Sequence, residues 1–240
     1  MAELCSNCGA KIHRGAFFFR SNEPISEAAL ATLNLVNGTH HEAMCGECGG
    51  EPCFEALLKL QTERDQIRAN FPLVAAHFPV TTIDALPTGD NFSVLGLVSA
   101  TVVADADLQD QLRADPHDAL RHAQDPSARS CEANQIEGSA RTIMVRKALR
   151  LGANCIVGVS VAYGATGARR FAVTMQGTAA KVPSVEAVFG SDAREVVEWA
   201  AKATERLENL DRWICGDIRP GDVYLSQRQV AAVQAGLVAA

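Results

Sequence analysis

The sequence predicts an α+β protein: a small N-terminal zinc module, a central sheet domain with one long helix, and C-terminal helices. Three observations carry this. Two Cys-x-x-Cys pairs, Cys5/Cys8 and Cys45/Cys48, stand within the first fifty residues. β-Branched apolar runs from Ser93 and Asn154 flank an amphipathic stretch over 133–153. A periodic, charge-laced stretch then runs from Ser191 to Gly216. We place the zinc-binding module and its following helix at 1–70, the α+β domain at 71–185 and a C-terminal helical segment at 186–240.

The cysteine pairs are separated by 36 residues, "CSNCGAK" against "CGECGG". Each Cys-x-x-Cys turn puts two thiolates on one side of a tight loop, and two turns fill a tetrahedral sphere. Gly9, Gly46, Gly49 and Gly50 are expected to permit positive φ, so that backbone N–H groups can face the sulfurs. Cys5, Cys8, Cys45 and Cys48 are therefore the expected ligands of a structural Zn²⁺. Four sulfurs leave no open position, which a catalytic zinc needs. A redox reading would want one pair at a helix start within a thioredoxin-like unit, and no strand pattern precedes Cys5. Cys53, His40 and His41 are spare ligand candidates; packing for the first and loop positions for the histidines are the plainer readings.

Between the pairs, "GAFFFR" from Gly15 reads as a strand. "ISEAALATLNLVNG" from Ile25 reads as a helix stopped at Asn37-Gly38. A further helix is expected over 52–70, with Pro52 in its first turn. Knuckle, strands, second knuckle, helix is the order of a treble-clef or zinc-ribbon module. Residues 70–91, with three prolines, read as a linker and a first edge strand. A strand follows from Ser93. Residues 104–130 read as one or two short helices broken at Pro116 and Pro126.

The long helix over 133–153 lines up Ile136, Ala140, Ile143, Met144, Ala148 and Leu151 on one face and stops at Gly152. Two strands then surround a Gly164/Gly167 turn. Strict alternation would put Val157, Val159, Val161 and Tyr163 on one face and Gly158, Ser160 and Ala162 on the other.

"KALRLGANCIVGVSVAYG" and "FAVTMQGTAAKV" resemble the bacterial YbjQ-like family, often labelled a heavy-metal-binding domain, over about 81–182. The sharpest likeness is "LGANCIVGV", where the family carries Asp at the place of Asn154; Gly177-Thr178-Ala179 also fits. The resemblance implies a dodecin-like β-α-β-β unit that assembles into a homo-oligomeric ring, commonly a pentamer. It supplies no catalytic residues. Its Gly-rich stretch before the long helix is here "HAQDPSARSCEAN".

The chain carries a formal charge of −6, with 48% hydrophobic and 21% charged residues. Through Cys53, Lys11, Arg14 and Arg20 face six glutamates, which leaves the module near −3. A phosphate-binding surface needs the opposite sign, so nucleic acid is not an expected partner. The longest apolar runs reach about a dozen residues, short of the ~20 that span a bilayer. No signal-peptide pattern opens the sequence, and the expected compartment is the cytoplasm, where thiols stay reduced.

Remaining candidates carry less chemistry. Cys131 and Cys155 could form a soft-metal site, although Cys155 reads as core. His117 and His122 are five apart, off a single helical face. Asp105, Asp107, Asp110 and Asp115 read as a solvated charge run. Val196, Ala200, Ala203, Leu207, Leu210 and Ile214 make a heptad seam, for self-association or for packing within the chain. "SQRQVAAVQAGLVAA" reads as a last helix. With no acid/base constellation, the sequence points to a non-enzymatic, zinc-containing oligomeric scaffold or binding protein, with a metal-sensing role or a small ligand or protein partner. The alternative is a thiol redox protein or enzyme that uses the cysteine pairs.

Overall fold

The structure, a computed structural model, describes residues 3–12, 22–83, 92–105, 126–165, 170–219 and 222. The expected strand at Gly15, the turn at Gly167, the break at Pro116 and the final helix lie outside these residues. The chain divides into two compact units, residues 1–69 with 205–240, and residues 70–204.

In the first unit, β1 (Glu3–Leu4) pairs antiparallel with β2 (Lys11–Ile12), and the first cysteine pair occupies their connection. Helix α1 (Glu27–Asn37) begins two residues inside the predicted stretch and stops where predicted: the Ser26 hydroxyl accepts the Ala29 N–H at 3.2 Å, and Gly38 ends it. The Asn34 side chain braces the next loop, accepting from Thr39 and from the His41 N–H and donating to the His41 carbonyl. The core of the cysteine module joins Ile12, Leu33, Met44 and Ala56 to the cysteines themselves.

Helix α2 (Gly46–His77) is longer than the sequence suggests. It opens inside the second cysteine pair, so Pro52 is in its interior, and it continues through Pro72. An interior proline costs roughly 3 kcal/mol. Phe71 and Phe78, each 1% exposed, return about 2–3 kcal/mol apiece on burial. Arg141 adds hydrogen bonds to the carbonyls of Ala75 and Phe78 at 3.0 and 3.1 Å. The sum favours helix where local chemistry favours a linker.

The second unit follows the β-α-β-β order: β3 (Ser93–Asp105), α3 (Pro126–Arg150), β4 (Cys155–Ala165), β5 (Arg170–Lys181). The antiparallel sheet has order β3-β5-β4, with α3 packed on β3 and β5. Pro126 opens α3 instead of breaking a helix, as its missing N–H permits. The buried face of α3 is Ala140, Met144, Val145 and Ala148; Ile143 and Leu151 are exposed, which corrects the expected stripe. Val80 bridges to Ile156 in parallel, with Pro79 and Thr81 bonding the outer edge of β4. Among the described residues, this is where the predicted edge strand meets the sheet.

Strict alternation fails in β4. Val157 partners Thr178 and Ser160 partners Gln176, so two residues stand opposite Gly177. Gly158, at φ 62°, makes this β-bulge possible. Cross-strand partners share a face, so Val157 lies with Ser160 and Ala162, not with Val161 and Tyr163.

A short helix α4 (Val185–Phe189) leads to α5 (Ala193–Ile214). Of the predicted seam, Ala200 and Ala203 in the second unit and Leu207 and Leu210 in the first are at most 1% exposed. The seam is thus filled inside the chain.

Candidate metal centre

Both cysteine pairs belong to the first unit, and the structure brings all four together. The Sγ atoms of Cys5, Cys8, Cys45 and Cys48 lie within 4.8 Å of one another. A tetrahedral ion with bonds of about 2.3 Å to sulfur holds its ligands about 3.8 Å apart, close to the 3.9 Å between Cys8 and Cys45. Four sulfurs at this spacing fit a thiophilic metal and could hold one.

Each pair is positioned by its own local structure. After Cys8 the chain turns back to β2 through Gly9 at φ 72°, and the Gly9 N–H donates to the Cys5 carbonyl. The second pair sits differently from expectation. Cys45 precedes α2 and Cys48 is in its first turn, so Gly46, Gly49 and Gly50 are helical, without positive φ. Gly49 is small for a packing reason: a Cβ there would come within 2.8 Å of Ile25. A helix N-terminus also favours thiolates.

Two residues between the cysteines, silent in the spacing argument, join the knuckles. The Ser6 N–H donates to the Ala43 carbonyl at 2.8 Å, and the Ala43 N–H reaches the Ser6 hydroxyl at 3.3 Å. The Cys45 N–H points across to the Cys5 sulfur at 3.4 Å. Ser6, at an x position of the first Cys-x-x-Cys motif, is thus the one residue of this brace that the motif itself contains.

Electrostatics make the cluster ask for a cation. Burial pushes the Cys5 thiol up, but the N–H groups of Cys45, Cys8 and Asn7 outweigh it and hold Cys5 at about 6. The Asn7 side chain pulls Cys48 down, yet the Cys45 and Cys8 sulfurs dominate and drive it up to about 12. One thiolate is welcomed and the next is resisted. A divalent ion removes that conflict, because it neutralises sulfurs that otherwise compete for protons.

The spare candidates fall away from the cluster. Cys53 is buried, its thiol raised by burial and donating to the Ala29 carbonyl. His40 and His41 are not among the converging ligand atoms. Cys155 is fully buried, pushed up to about 11 by burial, and behaves as core. The side chains of Cys131 and Asp105, along with His117, His122 and the rest of the acidic run, lie outside the described residues. Asn154 clamps the end of β5: its amide accepts the Val182 N–H at 2.9 Å and donates to the Val182 carbonyl at 2.7 Å. In the second unit an open cleft of about 420 Å³ lies beside Phe78 and Phe189, with His77 and Asp192 as its polar groups.

No curated protein matches the chain. Among solved structures, a similar chain is a protein with unknown function of the DUF74 family from Pediococcus pentosaceus. It is 15% identical, covering 43% of this chain and 95% of that one, at a TM-score of 0.31. The four cysteines fall outside residues 78–183, which a family model matches. Residues 78–183 match the YbjQ family model, described as "Putative heavy-metal-binding", and the β-α-β-β domain of this chain is YbjQ-like.

Proposed function

We propose that this is a non-enzymatic zinc protein: Cys5, Cys8, Cys45 and Cys48 hold one structural Zn²⁺, and the YbjQ-like domain serves as an oligomeric binding or scaffold unit in the cytoplasm. The observation that carries it is the convergence of four sulfurs from two segments within 4.8 Å. The donor set is soft and closed, which suits Zn²⁺ as a folding element better than as a catalyst. The metal role rests on these cysteines; among the described residues, 78–183 hold no such cluster.

The ion contributes charge neutralisation and a fixed link when bound. Ser6, Ala43 and the Cys45 N–H orient the two knuckles around it. The ring assembly, commonly pentameric, is carried by the resemblance to the family. Metal sensing is the regulatory form of the same reading, and the cleft beside His77 is the place for a small ligand.

Elemental analysis with light scattering tests both halves. About one zinc per chain is expected, with a mass several times that of the 25.5 kDa chain. Cys53→Ala should keep its zinc and Cys45→Ala should lose it. Metal-free protein with its thiols intact and a monomer mass would refute the reading.

A further inference from the structure

The four sulfurs are unequally sheltered. Cys5 and Cys45 are 2% and 1% exposed, Cys48 is half-buried, and Cys8 is open to solvent. The exposed sulfur is also 3.9 Å from the buried Cys45 sulfur on the other knuckle. Here one ligand meets solvent, and a partner thiolate waits behind it. Exposure and thiolate character are what set oxidation by peroxides. A zinc-bound sulfur is already deprotonated.

We propose that the centre is a hydroperoxide-sensitive release device, in which Cys8 is oxidised first and closes onto Cys45 to set the metal free. This rests on the four-cysteine zinc reading. In the first step the Cys8 thiolate attacks the peroxide. The O–O bond breaks, Cys8 becomes a sulfenic acid, and the departing oxyanion takes a proton from solvent. The Cys45 thiolate then attacks the Cys8 sulfur. The S–S bond forms, the S–O bond breaks, and hydroxide leaves as water after taking a second proton. Two electrons pass from the two sulfurs to the peroxide. Zinc loses two of its four ligands and leaves as Zn²⁺, while Cys5 and Cys48 remain as thiols. The product is a covalent link between the knuckles that the metal had joined, made without the charge and geometry of the ion.

The test uses the full chain as purified. Metal content is measured first. Hydrogen peroxide is then added at one equivalent beside a chromophoric zinc chelator, and each cysteine is followed by alkylation and mass spectrometry. Cys215, also exposed, is the internal control. The expected result is loss of the bound zinc at the first equivalent, a Cys8–Cys45 cross-link, and Cys215 still open to alkylation. Protein that carries no zinc before peroxide overturns the zinc reading itself. Protein that carries zinc and keeps it in excess peroxide overturns the release device and leaves the zinc reading standing, as does first oxidation at Cys5, Cys45 or Cys215. A Cys8→Ser chain that still binds zinc should lose the peroxide response. Because the site map is made on the natural sequence, the outcome holds even if that variant fails to fold.

Discussion

Asp222 accepts from three residues. The Arg212 guanidinium reaches its two oxygens at 2.8 and 2.9 Å, the Trp213 indole N–H donates at 2.9 Å, and the Arg219 N–H at 2.7 Å. Burial raises its pKa, but the Arg212 pairing and the two N–H bonds prevail and hold it at about 2. An unfolded aspartate titrates near 3.9. The folded value is the lower one, so the stabilisation is complete above about pH 4 and is lost as pH falls through about 2. That difference corresponds to about 2.5 kcal/mol. Asp222→Asn keeps an acceptor for the indole and removes the charge, and should cost about 2–4 kcal/mol at pH 7. Urea titrations followed by Trp213 fluorescence should show the gap to the natural protein narrowing below pH 4. A gap independent of pH would mean that charge is not what Asp222 contributes. A neighbouring pair is stricter still: Arg206, 1% exposed, meets Glu63 through two 2.7 Å bonds and lies 4.9 Å from the Trp213 ring centroid.

At the scale of elements, legibility follows how local the deciding physics is. The end of helix α1 was readable because Gly38 caps it locally, and the meeting of the four cysteines was readable because Cys-x-x-Cys spacing encodes half a coordination sphere. The extension of α2 past Pro72 was not, since the burial of Phe71 and Phe78 and the bonds from Arg141 are tertiary. The β4 bulge was hidden for a similar reason: what decides it is the strand opposite. A Cβ at Gly177 would meet the Ile156 and Val159 methyls at 2.8 and 2.9 Å and the Val157 carbonyl at 3.3 Å. These neighbours are β-branched or backbone and cannot swing aside. Gly177→Ala should therefore destabilise by about 1–3 kcal/mol. Gly164→Ala, where nothing lies within 4 Å of the new Cβ, should be neutral or slightly stabilising. Denaturant midpoints of the two variants decide it. Equal midpoints would mean that the crossing at Gly177 is not tight.

For the whole molecule, the two tryptophans give each unit its own reporter. Trp213 is fully buried in the unit that carries the cysteines, and Trp199 is 9% exposed in the unit that carries the sheet. The sheet unit has an apolar interior of its own, with Cys155, Val157, Ala180 and Val182 packed together. The cysteine unit packs Ile12, Leu33, Met44 and Ala56 around its two knuckles, and under the zinc reading a structural ion supplies further folding free energy to the segments it joins. Removing it should weaken the two units unequally. With Trp199→Phe, fluorescence reads the first unit alone; with Trp213→Phe, the second. Chelator treatment under reducing conditions should lower the Trp213 urea midpoint by about 1 M, the equivalent of about 2 kcal/mol at an ordinary slope. The Trp199 midpoint should hold. Hydrogen exchange should agree, with the amides of Ser6, Gly9 and Cys48 losing protection and those of β5 keeping theirs. If both tryptophans shift together, the ion supports the whole chain. If neither shifts, the knuckles stand on Ile12, Leu33 and Met44 without the metal, and zinc is cargo in this protein instead of a staple.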